Sequence, residues 1–108
     1  MNNKQNYIVE KILQKLSEQG FAQGKRNKFE LVESTEKGVR ILREKGTEDE
    51  IKKDEIEEVV KILLEKPNIY DYNVENFRKE IEKVIKRRIY SPLWAMIHLV
   101  DKDEYILD

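Results

Sequence analysis

The sequence predicts an α+β fold in which four helices pack against a small antiparallel sheet. Three observations support this prediction. Four segments carry apolar residues at helical spacing, and two short stretches of nearly alternating apolar and polar residues flank a turn that contains a glycine. With 108 residues, of which 39% are hydrophobic, the chain can bury a core of its own. We therefore expect residues 1–108 to form a single domain.

The first predicted helix covers residues 6–19. Its apolar residues Ile8, Ile12 and Leu16 recur about one helical turn apart, whereas polar side chains fill the other faces. Gly20 follows directly. Glycine is typical of a helix end, because it adopts the backbone conformation that stops a helix without strain.

A β-hairpin is predicted next, after a loop over residues 21–28. Its two strands cover residues 29–34 and 38–44, because apolar and polar residues nearly alternate in both. Gly38 can adopt the left-handed backbone conformation that closes a four-residue hairpin loop. One face of this hairpin is therefore expected to be buried.

Two interpretations compete for the chain that follows. Residues 47–50 match the pattern of a capping box, which would start a helix at residue 48. Ile51 would then point about 140° away from the apolar stripe of that helix, since each residue turns the chain by ~100°. We therefore favour a short strand near Ile51, followed by a helix over residues 55–66 with Asp54 as its N-cap.

Two further helices are predicted in the C-terminal half. Asn73 is a suitable N-cap for a helix over residues 74–89, which carries a regular apolar stripe. Ser91 followed by Pro92 is a typical helix start and predicts a helix over residues 92–100. Because this last helix is apolar nearly all round, we expect it to be the most buried of the four.

The end of the chain favours one more short strand, near residue 105. Tyr105-Ile106-Leu107 follows a charged turn over residues 101–103. Together with the hairpin and the segment near Ile51, this strand would complete an antiparallel sheet that the helices cover on one face.

Charge and composition limit the classes of function. Charged residues make up 40% of the chain, yet its net charge is −1, whereas a protein dedicated to duplex DNA usually shows a clear basic excess. Any binding of nucleic acid must therefore use a local basic patch. The absence of cysteine excludes disulfides and thiolate metal sites and is typical of a reducing compartment. No signal segment or membrane span is visible, and we expect a cytoplasmic protein without membrane contact.

No sequence motif predicts catalysis, a metal site or a cofactor. His98 is the only histidine, which excludes a His-pair zinc site, and its apolar neighbours predict a core or rim residue bonded to backbone. Glu50-Ile51-Lys52, together with Glu33, matches part of a magnesium-dependent nuclease site. Such a triplet arises by chance in a chain rich in Glu and Lys, and we expect a protein that is not an enzyme.

Two basic clusters are candidates for contact with phosphate groups. One is a ridge on the predicted helix over residues 74–89, opposite its apolar stripe, and the other lies in the predicted loop before the hairpin. The residues are Lys79, Lys83, Lys86 and Arg87 in the ridge, and Lys25, Arg26 and Lys28 in the loop. The alternative is an ordinary solvated surface, because glutamates on the same helix can pair with the lysines.

Three aromatic residues, Tyr70, Tyr72 and Trp94, are candidates for contact with a partner protein. The alternative is that Trp94 packs over the sheet and that Tyr72 packs across the first turn of the following helix. By elimination, we expect a non-enzymatic binding module, namely a protein-interaction accessory or regulatory protein. The alternative function is a nucleic-acid-binding accessory protein that uses the basic ridge.

Overall fold

A computed structural model of the chain describes residues 3–106 and shows a four-stranded antiparallel sheet with helices packed against it. The predicted α+β fold is confirmed. The elements in chain order are α1 (Asn3–Gln19), β1 (Phe21–Gln23), β2 (Lys28–Thr35), β3 (Gly38–Leu42), β4 (Glu48–Lys52), α2 (Lys53–Glu65), a 3-10 turn (Pro67–Asp71), α3 (Val74–Ile81), α4 (Tyr90–Ile97) and α5 (Lys102–Ile106).

The sheet is a meander, in which each strand pairs with the next along the chain in the order β1-β2-β3-β4. The predicted hairpin is β2 and β3, but Thr35 already pairs with Gly38, so the loop has two residues fewer than expected. The predicted strand near Ile51 is confirmed as β4, where Ile51 lies opposite Val39 of β3. The capping-box pattern of residues 47–50 therefore starts no helix.

Gly38 is required for a reason other than the predicted left-handed turn. Its φ is +151°, and a Cβ atom built there would lie 2.1 Å from the carbonyl oxygen of Ile51. β3 and β4 therefore approach each other at Gly38 more closely than any side chain would allow.

The prediction of a loop over residues 21–28 misses strand β1. In this strand Ala22 lies opposite Phe29 of β2, and both side chains are buried. A strand of three residues is too short for alternation to show in the sequence. The loop itself covers residues 24–27, and the Gly24 amide donates to the Asn27 carbonyl oxygen at 2.8 Å.

The predicted helix over residues 74–89 is wrong in length, because α3 ends at Ile81. Its start is correct, since the Asn73 side chain accepts from the amide of Asn76 at 2.8 Å. Beyond α3 the chain follows an irregular path, and side chains bond its carbonyl oxygens. The Tyr90 hydroxyl donates to Ile85 O at 2.7 Å, and the Arg43 guanidinium donates to Arg88 O at 3.0 Å. These bonds satisfy backbone groups that a helix would have paired.

Two other predicted helices also have different boundaries. Helix α2 begins at Lys53 and ends at Glu65, and the Glu55 carboxylate accepts from the Lys52 amide at 2.9 Å, so Asp54 is not the N-cap. The helix predicted over residues 92–100 is α4, which begins at Tyr90 and ends at Ile97, so Ser91 is not its cap and Pro92 is not its first residue. These differences are small, because local hydrogen bonds decide where a helix begins and ends.

The strand predicted near residue 105 is wrong, because Tyr105 belongs to the short helix α5. The Tyr105 side chain is 2% exposed, and its hydroxyl donates to the Ile97 carbonyl oxygen at the end of α4 at 2.8 Å. Leu107, the third residue of that predicted strand, lies outside the described residues.

One core joins the sheet to the helices, and its side chains come from every helix and strand. The prediction that the helix beginning near residue 92 is strongly buried is confirmed, since five residues of α4 are buried: Pro92, Leu93, Ala95, Met96 and Ile97. Within residues 3–106 the structure contains no buried charged side chain. None of the helices described is both long and apolar enough to cross a bilayer.

Candidate anion-binding cleft

The predicted basic ridge does not exist as one helix face. Lys79 lies in α3, but Lys83, Lys86 and Arg87 follow the end of that helix, so the helical spacing no longer applies. The Lys83 ammonium is 3.6 Å from a carboxylate oxygen of Glu80, and Lys86 donates to a backbone carbonyl oxygen at 2.7 Å. Both cations therefore have local partners on the same segment.

Arg87 covers the edge of the sheet. Its guanidinium donates to the Glu50 carbonyl oxygen on β4, which is the last strand of the sheet, and its Nε lies 3.5 Å from the Glu55 carboxylate. An exposed edge strand carries unpaired backbone groups that can recruit other strands. Arg87 thus binds this protein's own backbone.

The basic loop before β2 divides into two parts. Lys25 and Arg26 line a cavity of about 540 Å³ between this loop and the beginning of α3. Lys28 lies outside that lining, and its ammonium is 4.7 Å from the ring centroid of Phe21. Two of the three predicted loop residues are therefore brought to one concave surface.

A second cavity, of about 420 Å³, adjoins the first, because Val74, Glu75 and Ser91 line both. It is lined by Arg43, which directly follows β3, and by residues of α3, of α4 and of the segment between those helices. We call the two cavities together the cationic cleft, and its basic residues are Lys25, Arg26, Arg43, Arg78 and Arg88. Glu75 is the one acidic residue among the lining residues described.

Three of the five cations in the cationic cleft have no protein partner. Within residues 3–106, the side chains of Lys25, Arg26 and Arg88 make no ion pair, hydrogen bond or ring contact. They face a surface that Glu75 alone cannot neutralise. The cleft therefore concentrates positive charge in a molecule whose net charge is −1.

The other two cations are held in place by neighbouring side chains. Arg43 forms an ion pair with Asp49 of β4 and donates to Arg88 O, so it ties the irregular segment after α3 to the sheet. Arg78 lies with its Cζ 5.4 Å from the ring centroid of Tyr90, and its Nε is 3.3 Å from a carboxylate oxygen of Glu82. Their guanidinium groups are therefore positioned in advance.

Sequence reasoning missed Arg43, Arg78 and Arg88. They come from the end of a strand, from a helix and from an irregular segment, and no spacing in the sequence connects them. Lys25 and Arg26 were found because they are neighbours in a basic stretch. The cleft depends on the break after Ile81, for which no proline or glycine gives a signal.

The aromatic candidates form an internal cluster rather than part of the cleft. The Tyr70 hydroxyl donates to Val100 O at 2.8 Å, and Trp94 Nε1 donates to Tyr72 O at 2.9 Å. Burial raises the pKa of Tyr70, and the nearby Asp101 and Asp71 add to this effect. Their contact with a partner protein stays a prediction, but their polar groups already serve the fold.

His98 lies between two of these rings, with centroids 4.2 Å from those of both Tyr70 and Trp94. Its Nδ1 is 2.7 Å from the Trp94 carbonyl oxygen, and its Nε2 is 2.8 Å from the Tyr70 carbonyl oxygen. The prediction of a rim residue bonded to backbone is confirmed. The ring connects the end of α4 to the 3-10 turn.

The carboxylates of the nuclease-like pattern do not assemble into a metal site. The sheet register places Arg40 opposite both Glu33 and Glu50, and the Arg40 guanidinium lies 2.8 Å from Glu33 and 3.0 Å from Glu48. Arg40 thus lies between Glu33 and Glu50 in the sheet and pairs with Glu33. Across residues 3–106, the structure brings together no group of three or more potential His, Asp or Glu ligands.

Comparison of the chain with protein-family models, with curated proteins and with solved structures found no match. The function is therefore inferred from the geometry of the cationic cleft.

Proposed function

We propose that this protein is a non-enzymatic binding module that holds nucleic acid in the cationic cleft by its phosphate groups. The observation that carries the proposal is the set of three cations at one concave surface, Lys25, Arg26 and Arg88, whose side chains have no partner within residues 3–106. This is the alternative function that the sequence suggested; it keeps Lys25 and Arg26 of the predicted loop cluster and uses Arg88 instead of the predicted ridge. A role as a protein-interaction module ranks second, because its candidate aromatics are bonded within the fold.

Phosphate is the ligand group that suits these side chains. Arg guanidinium presents planar donors that match two phosphate oxygens, and Lys offers a compact charge that tolerates many directions. A concave surface lined by one sign of charge also strengthens the local potential. A ligand that carries several phosphates in a row can satisfy cations from both adjoining cavities at once.

The number of cations sets an upper limit on the salt dependence. A single strand that releases counterions at three to five contacts should lower log K by roughly 2 to 4 per tenfold rise in salt, at about 0.7 for each phosphate. Because the net charge of the chain is −1, long-range attraction adds little. Binding is therefore expected at low salt and should weaken steeply as salt rises.

Charge reversal in the cationic cleft tests the proposal. Labelled oligonucleotides of one length, single-stranded and duplex, are titrated with the protein at several salt concentrations, and fluorescence anisotropy gives the affinity. Arg88→Glu and Lys25→Glu should each weaken binding roughly tenfold or more and reduce the salt slope, since each removes a phosphate contact.

Lys61→Glu provides the matched control. Lys61 is exposed on α2 and lines neither cavity, so the same change of charge there should leave the affinity nearly unchanged. Equal losses in all three variants would mean that only overall charge matters. That result, or no binding of either oligonucleotide by micromolar protein at low salt, would overturn the proposal.

A further inference from the structure

We infer that the nucleic acid in the cationic cleft is single-stranded and that one of its bases stacks on the Arg78 guanidinium. The inference rests on the proposed function, because it assigns different tasks to the cations of the same cleft. Those cations differ in the contacts that their side chains make. Among residues 3–106 the side chains of Lys25, Arg26 and Arg88 find no partner, whereas Arg78 contacts Tyr90 and Glu82.

Two neighbouring side chains contact Arg78. Its Cζ is 5.4 Å from the ring centroid of Tyr90, and its Nε is 3.3 Å from a carboxylate oxygen of Glu82. Tyr90 is itself fixed, since its hydroxyl donates to Ile85 O at 2.7 Å. The Arg78 side chain nevertheless keeps 59% of its surface exposed and lines the cleft, so a ligand there can reach the guanidinium.

An exposed guanidinium beside an aromatic ring can serve as a stacking platform. Arg planes and aromatic rings both stack unpaired bases, and such stacking tolerates any sequence because every base has a π-face. Phosphate binding uses the N–H groups at the edge of a guanidinium and does not need an aromatic ring beside it. The arrangement of Arg78 on Tyr90 therefore indicates a flat ligand group beside the phosphates.

The requirement for a free base face excludes a duplex. In a double helix each base is covered on both faces by its neighbours, and proteins read it from the groove with a projecting helix or β-ribbon. The cationic cleft is concave, and Arg78 lines the same cavity as Arg88, next to the cavity that Lys25 and Arg26 line. A flexible single strand can place one base on Arg78 while its backbone follows Lys25, Arg26 and Arg88.

The test separates stacking from charge by changing the probe. Affinities are measured for a single-stranded oligothymidine, for an abasic oligonucleotide with the same number of phosphates, and for a duplex of equal length. The wild-type protein should bind oligothymidine roughly tenfold or more tighter than the abasic strand, because stacking of one base contributes about this factor. It should also prefer oligothymidine to the duplex.

The variant that identifies the stacking residue is Arg78→Lys, which keeps the charge and removes the plane. It should bind oligothymidine and the abasic strand with nearly equal affinity. Lys79→Gln is the neighbouring control: Lys79 follows on α3 but lines neither cavity, so this variant should keep the preference for bases.

The outcomes distinguish this inference from the proposed function. Equal wild-type affinity for oligothymidine and the abasic strand would overturn base stacking and leave phosphate binding intact. A preference for bases that survives in Arg78→Lys would overturn the assignment to Arg78. If wild-type protein binds none of the three probes at low salt, the proposed function fails, and this inference fails with it.

Discussion

Tyr105 shows how a single polar atom orders the end of the chain. Its ring is buried in the core, and its hydroxyl donates at 2.8 Å to the Ile97 carbonyl oxygen at the C-terminal end of helix α4, which also accepts a longer bond, of 3.4 Å, from the Val100 amide. Burial raises the pKa of Tyr105 well above its usual range. The neutral phenol is therefore the form that the fold accepts.

This burial predicts how stability changes at alkaline pH. A tyrosine in the unfolded chain loses its proton near pH ~10, whereas folded Tyr105 keeps it, so the folded state binds more protons above that pH. The contribution of Tyr105 to the free energy of unfolding should therefore be constant below pH ~10 and should fall as the pH rises further. Tyr105→Phe should lower stability by about 0.5–1.5 kcal/mol at neutral pH and make the alkaline fall shallower.

Urea denaturation between pH ~8 and ~11 measures both effects. Tyr7→Phe is the control, because Tyr7 is 54% exposed, so this change removes an exposed hydroxyl instead of a buried one. An alkaline fall of equal steepness in wild type and Tyr105→Phe would contradict the role given to this residue.

At the scale of elements, the sequence correctly predicted those helices and strands that are long enough for a repeating pattern of apolar and polar residues to show. Helix α1, the β2–β3 hairpin and the start of α3 follow from apolar spacing and the Asn73 cap. Strand β1 and helix α5 have three and five residues, so neither shows a period. Strand pairing stabilises β1 and burial stabilises α5, and neither can be seen in the sequence.

The break after α3 was missed for a different reason. Val84 and Ile85 continue the apolar stripe of a helix, yet Ile85 is buried and Val84 is 49% exposed. Side chains that lie far away in sequence, such as Arg43, bond the carbonyl oxygens of the irregular segment. Tertiary hydrogen bonds thus outweighed a local helical preference.

The contact between β3 and β4 at Gly38 yields a prediction about stability. Gly38→Ala would bring a Cβ within 2.1 Å of Ile51 O, so the two strands must separate locally. Gly46→Ala is a matched control, because Gly46 also has a positive φ, +94°, but a Cβ there meets nothing within 4 Å. Gly46→Ala should cost about 1 kcal/mol from backbone strain alone.

Gly38→Ala should cost clearly more than Gly46→Ala, by about 1–3 kcal/mol beyond it, since it adds a backbone clash to the strain. Thermal or urea unfolding of the two variants gives the comparison. Equal losses would mean that β3 and β4 are not as close at Gly38 as described.

At the scale of the whole molecule, the fold assembles a site that no single stretch of sequence contains. Composition indicated that any binding of nucleic acid would need a local patch, because acidic and basic residues nearly balance. The predicted ridge assumed that α3 continued to residue 89. The helix ends at Ile81, and Arg88 lines a cavity that adjoins the one lined by Lys25 and Arg26.

The most direct test of this account is a titration of isotope-labelled protein with an oligothymidine at low salt, followed by the backbone amide signals in NMR spectra. We expect shifts in the signals of residues 24–27, of the start of α3 and of residues 88–91, which surround the cationic cleft. Shifts confined to Lys83 and Lys86, or to the cluster of Tyr70, Trp94 and His98, would contradict it.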